Sequence, residues 1–317
     1  MKILITGGAG FIGSATAKKM IERGDQVVLV DNFNDYYDPQ LKRDRVKTLL
    51  KGKKFKLYEA DIRNYDEMEK IFKKEKPDKI LHLAAMAGVR YSLEKPLLYA
   101  DVNVMGTLNL LELSRIYKIK NFVYASSSSV YGVNKKVPFA ETDFVDNPIS
   151  PYAATKKSTE LLAHVYSHVY GLKTTGLRYF TVYGPWGRPD MAAFKFVKAM
   201  LAGKPIDVYN HGKMLRDFTY IDDIVAGTIK VIDADLKYAV MNIGADKPEK
   251  LGKFITVLEK SLGVKAQKNM MPMQPGDVPR TMADVSKLRK MGWKPEVRIE
   301  EGLQNFSDWY KKYYKIK

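Results

Sequence analysis

Lys2-Ile3-Leu4-Ile5-Thr6-Gly7-Gly8-Ala9-Gly10-Phe11-Ile12-Gly13 is the stretch on which the fold turns. A short apolar run meets glycines spaced for a tight turn and for the opening of a helix. Gly8-x-Gly10-x-x-Gly13 fits a dinucleotide fingerprint, and Gly7-x-x-Gly10-x-x-Gly13 fits a variant register. In either register, glycine lets backbone amides approach a pyrophosphate, and the helix that follows, starting at Phe11 and Ile12, supplies donors and the positive end of its dipole. The glycines alone specify little. Their setting specifies more, because Asp31 ends a second apolar run 18 residues beyond Gly13. A carboxylate there, with Asn32 beside it, accepts the ribose 2′-hydroxyl bonds of NAD and repels the 2′-phosphate of NADP. The basic residues Lys42, Arg43 and Arg45 keep NADP open as the alternative. Asp61 is either an adenine contact or a surface helix cap.

The first half of the chain continues the alternation. Lys2–Thr6, Gln26–Asp31, Phe55–Asp61, Lys79–Ala84 and Asn121–Ser127 read as short buried strands, separated by helical patterns of roughly 10–20 residues. Such alternation predicts an α/β fold: a Rossmann-like, doubly wound parallel sheet with helices on both faces. Asn64 ahead of Tyr65-Asp66-Glu67 and Ser150 ahead of Pro151 are helix-start signals, and Gly171 is a stop. After Phe180 glycine and proline become frequent and elements shorten, which predicts a smaller α/β C-terminal lobe that binds substrate. Tyr220–Asp233 and Tyr238–Ile243 read as a helix and a strand returning to the first lobe. The expected division is 1–180 for the dinucleotide lobe, with a return segment at about 217–245, and 181–317 mainly for the second lobe.

Composition narrows the class. The 317 residues are 45% hydrophobic and 28% charged, as in an ordinary soluble globular protein. No apolar stretch is long enough to span a bilayer, and Ile3-Leu4-Ile5 is too short for a signal-peptide core. Cysteine is absent, which excludes disulfides and thiolate metal sites and agrees with a reducing, cytoplasmic setting. The net charge of +17 raises nucleic-acid binding as a possibility. The lysines, however, are spread along the chain, and no block interleaves aromatics with arginine as a strand-binding groove would. A solvated basic surface that favours an anionic small substrate is the simpler account.

The second informative segment is Tyr152-Ala153-Ala154-Thr155-Lys156. Residues four apart near a helix start lie on one face. An ammonium near a tyrosine favours the phenolate, which is what a general base near neutral pH needs. Ser126 to Ser129 lie upstream, with Ser127 at the carboxyl end of a predicted central strand, where ligands bind in open α/β sheets. A hydroxyl there can hold a substrate oxygen while Tyr152 takes its proton.

Gly7–Gly13, Ser126-Ser127-Ser128-Ser129-Val130-Tyr131-Gly132 and Tyr152-x-x-x-Lys156 together resemble the extended short-chain dehydrogenase/reductase family. Asp31–Pro39, Thr181–Met191, Arg216–Asp223 and Met271–Arg280 narrow the resemblance to the UDP-glucuronate 4-epimerases, over nearly the whole chain. The departures are Met86, where these enzymes more often carry glutamine, and Met282, where tryptophan is more usual. The resemblance implies that Tyr152 takes the C4 hydroxyl proton of a UDP-sugar while C4 gives a hydride to tightly bound NAD. Ser127 positions the C4 oxygen, and Lys156 supports the phenolate and holds the nicotinamide ribose. The 4-keto sugar then presents its other face, and the hydride returns. Ile62, Leu83, Ala84 and Tyr179 complete the implied cofactor set. Related dehydratases and decarboxylases carry acid/base groups just before Val-Tyr-Gly. Here those positions are Ser128 and Ser129, which implies epimerisation without elimination. The implied substrate residues are Arg90, Ser127, Ser128, Ser129, Thr181, Arg188, Asp207, Tyr209, Arg216, Asp277 and Arg280. Arginine suits diphosphate and carboxylate because its fork bonds oxyanions bidentately.

UDP-glucose/galactose 4-epimerisation and uronate decarboxylation are the neighbouring activities. A non-catalytic nucleotide- or nucleic-acid-binding scaffold would not need Ser127, Tyr152 and Lys156 together. His164 and His168 have a spacing that can bind zinc, but no further ligand motif accompanies them, so no metal is expected. The stretches Pro96–Lys118 and Tyr152–Tyr170 are apolar on more than one side. By the same resemblance they pair across a two-fold axis into a four-helix bundle, giving a homodimer. No specific nucleic acid and no membrane are expected as partners.

Overall fold

A computed structural model describes residues 1–273 and 277–316. The strands in chain order are β1 Lys2–Thr6, β2 Gln26–Asp31, β3 Lys56–Glu59, β4 Lys79–His82, β5 Asn121–Ser127, β6 Thr174–Tyr179, β7 Thr181–Tyr183, β8 Ile206–Tyr209, β9 Leu215–Arg216, β10 Phe218–Tyr220, β11 Tyr238–Ile243, β12 Glu249–Lys250 and β13 Lys268–Met271. The helices are α1 Phe11–Glu22, α2 Pro39–Leu49, α3 Tyr65–Glu75, α4 Val89–Glu94, α5 Pro96–Tyr99, α6 Gly106–Ile116, α7 Pro151–Tyr170, α8 Ala192–Leu201, α9 Ile221–Ala234, α10 Leu251–Leu262, α11 Ser286–Lys290 and α12 Ile299–Tyr313. Residues Ala100–Met105 join α5 to α6 as a wide π turn, so Pro96–Ile116 runs as one interrupted helix.

Seven parallel strands form the central sheet in the order β3-β2-β1-β4-β5-β6-β11. The chain winds outward from β1 to β3, returns to place β4 on the other side of β1, and winds outward again. This reversal opens a crevice at the carboxyl ends of β1 and β4. Because strand side chains alternate, the two faces feed separate cores. Leu4, Ile80 and Phe122 pack under α3, α6 and α7, whereas Ile3, Ile5, Leu29 and Val123 face the other way. The second core runs on into the C-terminal lobe through Trp186, Phe194, Phe254 and Phe306.

Local signals explain the helix ends. The Asn64 side chain accepts the Glu67 amide at 3.2 Å, and the Ser150 hydroxyl accepts the Ala153 amide at 3.1 Å. Gly171 closes α7 at φ 70°. β3 and β4 are shorter than their apolar runs predict. β3 is an edge strand paired on one side only, and at β4 the chain turns away after His82 to pass under the glycine turn. β11 pairs with β6 from Tyr238↔Thr174 to Ile243↔Tyr179, so the chain returns to the sheet after entering the smaller lobe. That lobe is built on three two-stranded ribbons, β7–β10, β8–β13 and β9–β12. Among the described residues, no helix is long and apolar enough to cross a membrane.

Two buried charged groups bind the smaller lobe to the rest. Arg45 on α2 is fully buried and donates to the carbonyls of Trp186 and Gly187 at 2.9 and 3.2 Å, and to the Tyr37 hydroxyl at 2.6 Å. Asp217, also fully buried, accepts the amides of Ala245, Asp246 and Ala283 at 2.5, 3.2 and 2.9 Å. Burial outweighs these three bonds and pushes its carboxyl up to about 6. Asp217→Ala leaves three buried donors unpaired, each costing about 1–3 kcal/mol. The expected loss is about 3 kcal/mol or more, a fall in melting temperature of roughly 5–10 °C by calorimetry.

Candidate active site

The turn between β1 and α1 works only with glycine. Gly7 sits at φ 67°, where a Cβ would lie 2.7 Å from the Ala84 nitrogen. A Cβ on Gly10 would lie 2.9 Å from the Gly7 carbonyl oxygen, and one on Gly13 would strike that same oxygen. The turn is pinned from the side: Asp31 accepts the Ala9 amide at 3.0 Å and the Phe33 amide at 3.0 Å. α1 has no side-chain cap. Its first amides, of Phe11, Ile12 and Gly13, have no partner among the described residues, which is the donor set a pyrophosphate needs.

These residues line a cavity of about 390 Å³ at the carboxyl ends of the sheet. Asp31, Asn32, Ile62, Leu83, Ala84 and Tyr179 line it with the glycine turn, and Ser127, Ser128, Ser129, Tyr152, Lys156, Thr181 and Arg188 line its other end. The cavity therefore has the cradle and donors for a dinucleotide. Asp61 stands outside that lining. Its carboxylate takes Arg63 at 2.8 Å and Asn32 at 2.9 Å, and these partners hold it down at about 2. Of the basic cluster, Arg43 pairs with Glu59, Arg45 is spent on the lobe contact, and Lys42 reaches the Asn34 carbonyl at 2.9 Å. Lys42 alone of the three lines the cavity, 4.0 Å from Asp31.

Ser127 ends β5, and its hydroxyl accepts the Ser129 amide at 3.1 Å, which starts the short turn Ser128–Tyr131. Ser126 points elsewhere: its hydroxyl donates to Glu160 at 2.6 Å, and Glu160 forms a buried two-bond pair with Arg178. Tyr152 and Lys156 leave the first turns of α7 on one face. Burial pushes the Tyr152 phenol up, and the Ser127 hydroxyl and the Arg188 charge oppose that rise. Burial, with Arg188 nearby, lowers the Lys156 ammonium to about 8, and its Nζ donates to the Ala125 carbonyl at 2.9 Å. One of the three Lys156 ammonium protons is thus held by the backbone, and among the described residues two stay available to a ligand. Ser127 and Arg188 are the groups that favour the Tyr152 phenolate.

A buried polar chain sets the position of α7. His82 on β4 lies between Thr6 Oγ1 at 2.7 Å and Thr107 Oγ1 at 2.9 Å. Thr107 donates to the Asn103 carbonyl at 2.5 Å, so it accepts from His82 Nε2, leaving Nδ1 to accept from Thr6. Burial lowers His82 to about 3 and keeps it neutral. Asn103, on the π turn, bonds the Met86 backbone in both directions and donates to Thr155 Oγ1 at 3.0 Å. Thr155 in turn bonds the Tyr152 carbonyl at 2.9 Å. Met86, where glutamine is more usual, is held by its backbone while its side chain lines the cavity.

The remaining expected substrate residues form a second group. The Arg90 guanidinium lies over the Tyr209 ring at 5.2 Å and 4.0 Å from Asp277. Burial pushes the Arg216 guanidinium down, opposed by Asp277. Arg280 pairs with Leu215 beside Arg216 and donates to the Lys135 carbonyl at 3.2 Å. Asp207 is held by Asn269 at 2.9 Å. Gln274, Pro275 and Gly276 of the Met271–Arg280 segment lie outside the described residues. His164 and His168 stack at 5.9 Å, with Tyr238 against His164 at 4.9 Å. Tyr36 and Asp190 have no role in the sequence reading, and Lys42 enters it only as an argument for NADP. Their only signal was membership of the segments Asp31–Pro39 and Thr181–Met191, or of the basic cluster.

Serine, tyrosine and lysine meet at the carboxyl end of a central strand, at the far end of a dinucleotide cradle. Fold and site together therefore define the extended short-chain dehydrogenase/reductase class. Within it, the chain belongs to the family described as GDP-mannose 4,6 dehydratase, which matches residues 4–306. Among its relatives, Protein CapI of Staphylococcus aureus is 52% identical over 99% of this chain and 100% of its own length. A probable UDP-glucuronate 4-epimerase of Rhizobium meliloti is 45% identical over 99% of this chain and 98% of its own. The crystal structure of UDP-glucuronic acid 4-epimerase from Bacillus cereus, in complex with UDP-glucuronic acid and NAD, superposes with a TM-score of 0.92 at 38% identity, covering 99% of this chain and 100% of that one.

The depressed Lys156 ammonium is directly observable. In the ligand-free protein, NMR of ¹³C-labelled lysine side chains is expected to show one Nζ titrating near pH 8, absent in Lys156→Met, against about 10.4 for exposed lysines. It is charged below that midpoint and neutral above it. Because the unfolded chain binds this proton more tightly, its contribution to stability rises with pH between about 8 and 10.5.

Proposed function

We propose that the chain catalyses NAD-dependent 4-epimerisation of UDP-glucuronate to UDP-galacturonate through a 4-keto sugar. The observation that carries this is Arg188. It lines the same cavity as Ser127, Tyr152 and Lys156, and its charge acts on both Tyr152 and Lys156. A cation beside the reacting end suits a carboxylate on C5, the ring carbon next to C4, better than the neutral hydroxymethyl that a UDP-hexose carries there. The family's described activity is a dehydration, but the positions that would carry its acid/base pair are Ser128 and Ser129, which are poor acids and bases at neutral pH.

The residues divide the work. NAD, when bound along Gly7–Gly13, Asp31 and Asn32, accepts and returns the hydride. Ser127 holds the C4 oxygen, and Tyr152 takes and returns its proton. Lys156 supplies positive charge that favours the phenolate, and its two remaining N–H donors can hold the nicotinamide ribose. Ser128, Ser129 and Thr181 face the sugar, and hydroxyl donors near the carboxylate hold it against loss as carbon dioxide. The group Arg90, Asp207, Tyr209, Arg216, Asp277 and Arg280 takes the nucleoside diphosphate, with a partly desolvated Arg216 as its strongest anion partner. In this proposal residues 1–180, with 217–245, hold NAD, and the rest of 181–317 mainly holds the UDP-sugar. In this proposal the enzyme works in the cytoplasm.

Purified protein incubated with UDP-glucuronate and no added cofactor is expected to yield UDP-galacturonate at unchanged mass. A UDP-pentose, or turnover of UDP-glucose alone, would move the assignment to decarboxylation or to the neutral-sugar epimerases. Tyr152→Phe is expected to lower kcat by about 10³-fold while NAD stays bound.

We also propose a homodimer through a four-helix bundle. Leu97 is 84% exposed, and Met105, Leu161, Val165 and Val169 are about half exposed along α5–α6 and α7. A monomer would leave this stripe in water, and pairing with its own copy covers it. Leu161→Lys with Val165→Lys is expected to give a folded monomer by light scattering.

A further inference from the structure

Arg188 is held in place by a network that joins three segments distant in sequence. Asp190 takes Arg188 Nε at 3.0 Å and Nη2 at 2.5 Å, a bidentate pair. The Ala87 carbonyl takes Nη2 again at 3.4 Å. Of five guanidinium protons, the two on Nη1 have no partner among the described residues. Asp190 is itself fixed, because the Tyr36 hydroxyl donates at 3.2 Å to Oδ2, the oxygen that also takes Arg188 Nη2. Tyr36 lies in the loop after Asp31, and both it and Arg188 line the cavity. Gly88 closes the arrangement at φ 112°. A Cβ there would come within 3.0 Å of the Tyr36 hydroxyl, 3.7 Å of Asp190 and 3.8 Å of Arg188.

A flexible arginine loses much rotamer freedom when it binds an oxyanion, and a guanidinium already clamped on one edge loses less. The clamp also determines which edge is presented. With Nε and Nη2 occupied, only the Nη1 edge can meet a ligand, so the geometry is selective for one approach. We propose that Asp190, braced by Tyr36, is the positioning residue that presents Arg188 to the sugar carboxylate, and that this clamp sets the preference for an acidic over a neutral UDP-sugar. The proposal rests on the assignment of Arg188 to that carboxylate. It also ties acid recognition to the loop that follows the cofactor carboxylate, since Tyr36 is part of that loop.

The test uses the purified enzyme with three ligands: KM for UDP-glucuronate, and competitive inhibition constants for UDP-glucose and UDP. Asp190→Asn is expected to raise KM for UDP-glucuronate about tenfold or more, the size of a lost charge-assisted hydrogen bond. The two inhibition constants and the bound NAD should stay within about twofold of the parent, a change of no more than ~0.4 kcal/mol. Tyr36→Phe, which removes one hydroxyl and keeps the ring, should act in the same direction by about threefold, or ~0.7 kcal/mol, and serves if Asp190→Asn does not fold. Arg188→Gln is run alongside. If Arg188→Gln loses UDP-glucuronate selectively while both other variants leave its KM unchanged or weaken all three ligands equally, the positioning role is overturned and the carboxylate assignment stands. If Arg188→Gln weakens all three ligands equally, the carboxylate assignment falls and this proposal falls with it.

Discussion

The contact between Gly13 and the carbonyl of Gly7 is the constraint from which the site follows. It brings α1 hard against the end of β1, closer than any side chain would permit. The first amides of α1 then face the crevice with no partner among the described residues. Asp31 fixes the same turn from the neighbouring strand through the Ala9 amide. The position of a diphosphate is thereby set by backbone rather than by flexible side chains, and everything downstream is measured from it.

From that fixed turn, the polar chain Thr6–His82–Thr107–Asn103–Thr155 reaches across to the helix that carries Tyr152. Each member is buried and each bond has a defined direction, because His82 stays neutral. The glycine turn and the helix of Tyr152 are therefore parts of one hydrogen-bonded body, and the low dielectric that strengthens such a chain also makes any break in it costly. The same body explains the ionisation of the site. Burial raises the phenol and lowers the ammonium at once, so near neutral pH Lys156 still carries its charge while Tyr152 needs ligands to change its surroundings before it can act as a base.

Much of this was legible in the sequence, for physical reasons. β1, β2, β5 and β11 run where their apolar stretches do; in the first three, burial on both faces leaves a nearly continuous signal. The glycines, Ser127, Tyr152 and Lys156 were legible because their spacing is dictated by backbone geometry. The ribbons of the smaller lobe were not, since β8 finds its partner β13 about 60 residues away and each is only four residues long. Nor was the commitment of Lys156 to the Ala125 carbonyl, or the clamp of Tyr36 and Asp190 on Arg188. Spacing places Tyr152 and Lys156 on one face but says nothing of which oxygen lies nearer. The three segments of the clamp meet only after folding.

The π turn at Ala100–Met105 carries a further implication. A helix advances about 100° per residue, so one surplus residue within a turn rephases everything beyond it. Asn103 sits inside this turn and Thr107 just after it, and both point into the polar chain because of that extra angle. Shortening the segment by one residue would leave it largely helical and still amphipathic. It would nevertheless swing α6 about its own axis and point Thr107 away from His82. Chain length within these six residues thus fixes the geometry as firmly as their identity does, and a one-residue gap would take Thr107 off His82 with every other side chain unchanged.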